Sequence, residues 1–190
     1  MANAGKAASI YPHLLKEFDF SPYHSFVDIG GGYGILAREI LHHYPHIKGI
    51  IADLPGVLEK TGEQIPPELL ENRCSLVPCN FFEKIPPGKD LYIMANILHN
   101  WDDEKCRRIM ENCYKALSPG TPLLLLEMII PPGNTPSTSK FMDLEVFVMG
   151  GGKERTREEY NKLVTAAGFS LKRIIETEGD YSIIECIPGI

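Results

Sequence analysis

A glycine-rich turn placed directly after an apolar strand constrains this chain more than any other feature. Phe26-Val27-Asp28-Ile29 reads as a buried strand, and Gly30-Gly31-Gly32-Tyr33-Gly34 follows it at once. Only glycine lets a backbone turn that tightly and bring its N–H groups close to the polar end of a ligand. Apolar residues at helical spacing then begin at Ile35. Strand, glycine turn and helix in that order open a parallel α/β sheet, with the ligand expected at the carboxyl end of the strand.

The rest of the chain keeps that alternation. Strands are predicted over Ser25–Ile29, Ile47–Ala52, Ser75–Pro78, Leu91–Met94 and Leu123–Met128. Helices are predicted over Ile35–His43, Pro55–Glu63 and Glu104–Leu117, with Tyr44-Pro45 and Ser118-Pro119-Gly120 ending two of them. Towards the end the order changes. Phe141–Met149 and Arg157–Ala167 read as helices, and Gly168 fits a C-cap. Leu171–Thr177 and Tyr181–Cys186 read as strands joined through Glu178-Gly179-Asp180. The expected fold is α/β: a Rossmann-like, doubly wound, seven-stranded sheet whose last strand is antiparallel. Residues 1–190 carry no composition shift or repeat, so one domain is expected, with Ile130–Pro136 as a proline-rich surface loop.

Composition narrows the function. A net charge of −6 argues against nucleic acid as partner, because phosphate contacts need a basic face. No apolar run approaches the roughly 20 residues that span a bilayer, so no membrane is expected. Met1-Ala2-Asn3-Ala4-Gly5-Lys6 lacks the apolar stretch of a signal peptide. The five cysteines (74, 79, 106, 113, 186) form no C-x-x-C pair, and an odd number cannot all pair internally. Reduced, buried thiols in a cytoplasmic protein are the expectation.

Two features qualify the ligand. The dinucleotide fingerprint G-x-G-x-x-G would need a third glycine where Ile35 stands, which argues against NAD or FAD. Asp53 closes the second predicted strand, where a carboxylate can accept both hydroxyls of a ribose. Asp53 could equally cap the helix entered through Leu54-Pro55, and the two roles are compatible. Glycine turn and acidic strand end together point to an adenosine-containing ligand. A histidine, His99, stands just past the fourth strand, on the same sheet edge. Alone, a histidine before a tryptophan is more often structural than a base.

Val27-Asp28-Ile29-Gly30-Gly31-Gly32-x-Gly34, Asp53-Leu54-Pro55, Leu98-His99-Asn100-Trp101-Asp102-Asp103 and Gly151-Gly152-Lys153-Glu154-Arg155-Thr156 occur in that order. So arranged, the chain resembles the S-adenosylmethionine-dependent O-methyltransferases of the plant phenolic and acetylserotonin (hydroxyindole) type, from about Tyr11 to Cys186. The resemblance implies S-adenosylmethionine as cofactor, S-adenosylhomocysteine as product and no metal. It makes Asp28, Gly30, Gly32 and Gly34 the cofactor turn, and Asp53 with Leu54 the ribose pair. Asn80 and Phe81 match the pair that holds the adenine; Asn in place of the family's Asp keeps a carbonyl acceptor and loses the charge. Ala95 stands where many plant members carry a lysine near the cofactor.

The same resemblance makes His99 the general base, flanked by Glu127 and Glu154. Methyl transfer is an in-line displacement, and a phenol with a pKa of about 10 must lose its proton to become a good nucleophile. Histidine is the base available near neutral pH. A carboxylate on one ring nitrogen fixes the tautomer and stabilises the imidazolium. Glu154 could instead be an exposed charge within Lys153-Glu154-Arg155, and Asp143 matches a family aspartate whose role could be local to its helix. Asp102-Asp103 could suggest Mg2+, but capping of the following helix explains the pair more simply. Trp101 is expected under the cofactor side of the sheet or near the adenine.

Family members carry an N-terminal helical domain that dimerises and closes the acceptor pocket. The chain begins near the last helix before the catalytic domain, so the helical domain is expected to be absent, by truncation more readily than as a natural minimal form. The remaining pocket wall would come from Phe141–Met149, with Val146 and Met149 as substrate contacts and Met1–Ala4 as a further edge. Cofactor binding is expected to persist, turnover to be weak, and a full-length form to be a homodimer. The acceptor would be a small aromatic hydroxyl, phenolic or indolic. The alternatives are hydroxylation or decarboxylation on the same scaffold, or a non-catalytic interaction role.

Overall fold

The central strands are apolar on both sides because helices cover both faces of the sheet. The computed structural model describes residue 11 and residues 14–189. Its strands are β1 (Ser25–Ile29), β2 (Lys48–Asp53), β3 (Cys74–Pro78), β4 (Leu91–Ala95), β5 (Leu123–Ile130), the two-residue β6 (Arg155–Thr156), β7 (Phe169–Glu176) and β8 (Tyr181–Pro188). Its helices are α1 (Ile35–His43), α2 (Pro55–Gly62), α3 (Pro67–Asn72), α4 (Asp103–Ala116), α5 (Thr138–Gly150) and α6 (Arg157–Ala166). A 3-10 turn covers Leu98–Asn100.

The sheet runs β3-β2-β1-β4-β5-β8-β7, with β6 attached to the far end of β5. β1 lies parallel between β2 and β4, which makes its carboxyl end the point where the strand order reverses and a crevice opens. β8 alone runs antiparallel to its neighbours, inserted between β5 and β7. The predicted seven-stranded path with a reversed last strand is therefore the observed one.

Alternation along the strands sorts the core into two layers. Tyr92, Met94, Leu123 and Leu125 pack with Cys106, Ile109 and Met110 of α4 and with Tyr160 and Val164 of α6. Leu91, Ile93, Leu124 and Leu126 face the other way, onto Leu36, Ile40 and Leu41 of α1. Burying each such side chain contributes roughly 1.5–3 kcal/mol, and both layers converge on β4 and β5. That rigid pair carries the histidine turn and Glu127.

Three elements were not predicted: α3, the 3-10 turn and β6. α5 also begins earlier than expected, where the Ser137 hydroxyl accepts from the Ser139 amide at 3.1 Å. Gly168 follows the C-cap of α6 with φ of 88°, the left-handed geometry that favours glycine there. All five cysteines are free and buried. Among the described residues no helix is long and apolar enough to cross a membrane. Met1–Ala4 lie outside the described residues.

Candidate active site

The glycine turn, Asp53, the residues after β3 and the His99 turn all lie at the carboxyl edge of the sheet. Gly30 takes φ of 66°, and its amide donates to the Ala52 carbonyl at 2.8 Å. A Cβ at Gly30 would sit 2.6 Å from Ile97 Cδ1, so the turn presses on the segment that leads to His99. Gly34 is packed equally tightly, with Ile51 and Ile65 each 2.7 Å from a Cβ placed there. Gly32 faces open space, and its amide donates to Asp53 Oδ2 at 2.9 Å. The Leu54 amide donates to the other oxygen, Oδ1, at 2.7 Å. Asp53 thus joins the β1 turn to the end of β2 and keeps lone pairs on both oxygens for a ligand. The Leu54 side chain itself is exposed.

Asp28 lies beneath the turn, almost fully buried. Burial first, and then the Asp53 charge, push its carboxyl up to about 7. A Cβ at Gly31 would come within 2.8 Å of it, so Asp28 supports the turn from below.

Asn80 behaves more locally than its sequence position suggests. Its side-chain carbonyl accepts from the Phe82 amide at 3.1 Å, and its amide donates to Glu83 at 2.9 Å. Phe81 lines the crevice, with its ring edge 3.5 Å from a Cβ placed at Gly30. Trp101 packs edge-on against Phe82, with ring centroids 4.9 Å apart, and Lys105 lies over its ring. Ala95 ends β4, half-buried, at the mouth of the same edge.

The next residue, Asn96, has φ of 58°, the one positive value at a non-glycine among the described residues. That left-handed step turns the chain out of β4, held by a bond of 3.0 Å from the Asn96 amide to the Leu126 carbonyl. The 3-10 turn follows and presents His99. Glu127, in β5, secures it from two sides. Its Oε1 accepts from the Ile97 amide at 3.0 Å and the Leu98 amide at 2.8 Å, while Oε2 lies 3.0 Å from His99 Nδ1. Glu154 Oε1 approaches the same nitrogen at 3.6 Å.

The electrostatics follow from that geometry. Burial pulls the His99 ring down, but the Glu127 and Glu154 carboxylates outweigh it and hold the imidazole above its usual value. Burial lifts Glu154 to about 7, against the pull of His99, and its Oε2 has no hydrogen-bond partner among the described residues. With Nδ1 committed to carboxylates, Nε2 is the nitrogen that can take a proton from a substrate. Donor atoms of the three residues lie within 4.8 Å of one another, a spacing a cation could also use. Hydrogen bonding already employs both oxygens of Glu127.

α5 closes this side, packed on β5 and on the 3-10 turn. Asp143 Oδ1 accepts from the Glu154 amide at 2.9 Å, so the aspartate does act on the site, through backbone. Val146 is buried inward, whereas Met149 is 76% exposed on the outer face with Phe141, Leu144, Phe147 and Val148. Asp102 caps α4, accepting from the Lys105 amide at 2.8 Å, as expected from its place before the helix. Asp103 instead pairs with Arg155 at 2.8 Å and Lys153 at 3.1 Å.

Arg155 is the residue the sequence reading missed. The sequence assigns it no role of its own, yet it is fully buried. The signal was present: Gly150–Gly152 end one helix, and Thr156 with Glu159 forms the capping box of the next. A segment pinned so tightly at both ends has little room to reach solvent.

A doubly wound sheet with a glycine turn and a carboxylate-backed histidine on one edge is the layout of a group-transfer α/β domain. Residues 5–170 match the family model of the O-methyltransferase domain. The chain is 36% identical over 187 residues to phenazine O-methyltransferase PhzM of Lysobacter antibioticus, covering 98% of this chain and 55% of the relative. It is 39% identical over 173 residues to acetylserotonin O-methyltransferase of Gallus gallus, covering 90% and 49%. Human N-acetylserotonin methyltransferase, solved in complex with SAM, superposes with a TM-score of 0.88 at 30% identity, covering 97% of this chain and 53% of that one. The chain belongs to the O-methyltransferase family, and it spans about half the length of the relatives it matches.

Proposed function

We propose that this domain binds S-adenosylmethionine at the Gly30–Asp53 edge and directs methyl transfer to a hydroxyl of a small aromatic, phenolic or indolic, with His99 as general base. The observation that carries this reading is the double engagement of Glu127, which holds the His99 turn by its amides and the ring by Nδ1. A turn that is open at Gly32, beside a carboxylate with free lone pairs, fits the adenosine and amino-acid ends of that cofactor.

Bound there, the cofactor supplies a methyl group on a positively charged sulfur. Asp53 would hold its ribose hydroxyls and Phe81 its adenine, while Asp28 supports the turn from beneath. His99 Nε2 accepts the proton of the acceptor hydroxyl as it attacks. Glu127 and Glu154 stabilise the imidazolium that results. Val146 is assigned to the acceptor wall, and Met149, exposed on the outer face of α5, joins it where further chain covers that face.

The additional length of the relatives supports a full-length form in which further chain closes the acceptor pocket and forms a homodimer. The apolar outer face of α5 favours such a covering. Free, buried thiols support a cytoplasmic location.

Calorimetric titration with S-adenosylhomocysteine tests the cofactor site, and product mass tests the reaction. A gain of one methyl on a phenol or indole supports the reading; a gain of oxygen or loss of carbon dioxide would assign a different reaction to the same scaffold.

A further inference from the structure

Arg155 has no exposed surface, yet it carries a charge that the proposed chemistry does not use. Its donors converge on one short stretch of chain. Nη1 donates to the Leu98 carbonyl at 3.0 Å and the Lys153 carbonyl at 3.3 Å. Nη2 donates to the Trp101 carbonyl at 2.9 Å and to Asp103 Oδ1 at 2.8 Å, and Nε reaches the same oxygen at 3.0 Å. The carbonyls of Leu98 and Trp101 bracket His99 and Asn100, so the guanidinium grips the histidine turn at both ends. The Cys106 thiol lies 3.1 Å and 3.4 Å from those same two carbonyls, and it accepts from Arg155 Nη2 at 3.4 Å. A Cβ at Gly152 would collide with the His99 carbonyl oxygen, which places the whole 152–155 segment against the turn.

We propose that Arg155 is a positioning residue for the base: its planar fork fixes the Leu98 and Trp101 carbonyls and so aims the His99 ring at Glu127. This rests on the reading of His99 as base. Adjacent residues then divide one task, Glu154 addressing the ring and Arg155 its backbone. The fork matters because one rigid plane serves both carbonyls and the Asp103 carboxylate, which a lysine ammonium on a flexible stem cannot do. The clamp also reaches the cofactor edge, since the gripped Trp101 packs against Phe82.

Arg155→Lys separates geometry from charge. The groups facing His99 are Glu127 from β5 and Glu154 and Arg155 from the segment entering α6. With charge kept and the clamp lost, the ring should leave Glu127, and its titration, followed by nitrogen-15 spectra of the imidazole, should fall towards the ordinary value. S-adenosylhomocysteine affinity should stay within about threefold. In a form that turns over, kcat should fall about tenfold or more while the acceptor KM changes little. A folded Arg155→Lys protein with unchanged His99 titration and unchanged kcat overturns the proposal. Should that variant not fold, Asp103→Asn loosens the guanidinium from the exposed side and must move the His99 titration in the same direction; no movement overturns the proposal equally. The ring spectra need no turnover. If His99→Ala leaves turnover intact, the assignment of the base fails while the clamp is still read from the ring.

Discussion

The amide of Gly32 donates to Asp53 Oδ2 at 2.9 Å, which makes the turn after β1 and the carboxylate ending β2 a single unit. Asp53→Ala should therefore do more than delete a ribose contact, because it also leaves the Gly32 amide without its partner. A hydrogen bond to a charged group contributes about 1.5–3 kcal/mol, so affinity for S-adenosylhomocysteine should fall by at least tenfold. Titration calorimetry on both proteins checks this, and equal affinities would remove Asp53 from the site.

His99→Ala should leave that affinity near wild type and cost roughly a hundredfold or more in methyl transfer, the usual scale for losing a general base. Single-turnover rates at saturating cofactor separate the two effects. Full activity in the variant would move the base elsewhere.

Glu154 ties stability to pH. Its carboxyl is raised to about 7 by burial, so the folded protein holds the proton more tightly than the unfolded chain does. Stability from this group is complete below about pH 4.5 and is lost as pH rises through 7, on the order of 3 kcal/mol in all. His99, also raised, acts in the same direction from its ordinary value upward. Glu154→Gln should thus gain thermal stability on wild type at pH 8 and gain less at pH 5. Parallel melting curves with no such divergence would show that the carboxyl titrates normally.

Gly152 and Gly150 make a contrasting pair. An added methyl at Gly152 meets the backbone of His99, which cannot yield as a side-chain tip would. Gly152→Ala should cost about 1–3 kcal/mol in urea unfolding and lower turnover as well. Gly150 ends α5 with nothing near its Cβ position, so Gly150→Ala should be neutral or stabilising by up to about 1 kcal/mol.

Legibility in the sequence followed the range of the forces involved. β1 and α1 were read to the residue, because a glycine turn separates them and Tyr44-Pro45 ends the helix. The reversed final strand was legible from the hairpin spacing. The 3-10 turn and β6 were not, since each exists through contacts with distant residues: Glu127 with the amides of Ile97 and Leu98, and Ile129 paired with Arg155. His99, Glu127 and Glu154 were found through a resemblance of ordered motifs, and the structure brings them together. The local bonds of Asn80, to the Phe82 amide and Glu83, were not legible in the sequence; they leave a lone pair on its carbonyl oxygen for a ligand. The tight ends of its segment hint that Arg155 is buried, but the carbonyls it holds lie more than fifty residues earlier and are not legible locally.

The reversed strand has a consequence for how the domain comes into being. Glu127 pairs across to Ser182, and β8 covers residues 123–128 of β5 on the side away from β4. During synthesis β5 therefore keeps an open sheet edge until residues 181–188 have left the ribosome. Glu127, which holds the His99 turn, gains its cross-strand neighbour only when β8 is made. The strands on either side of the glycine turn, by contrast, are all made well before that edge is covered.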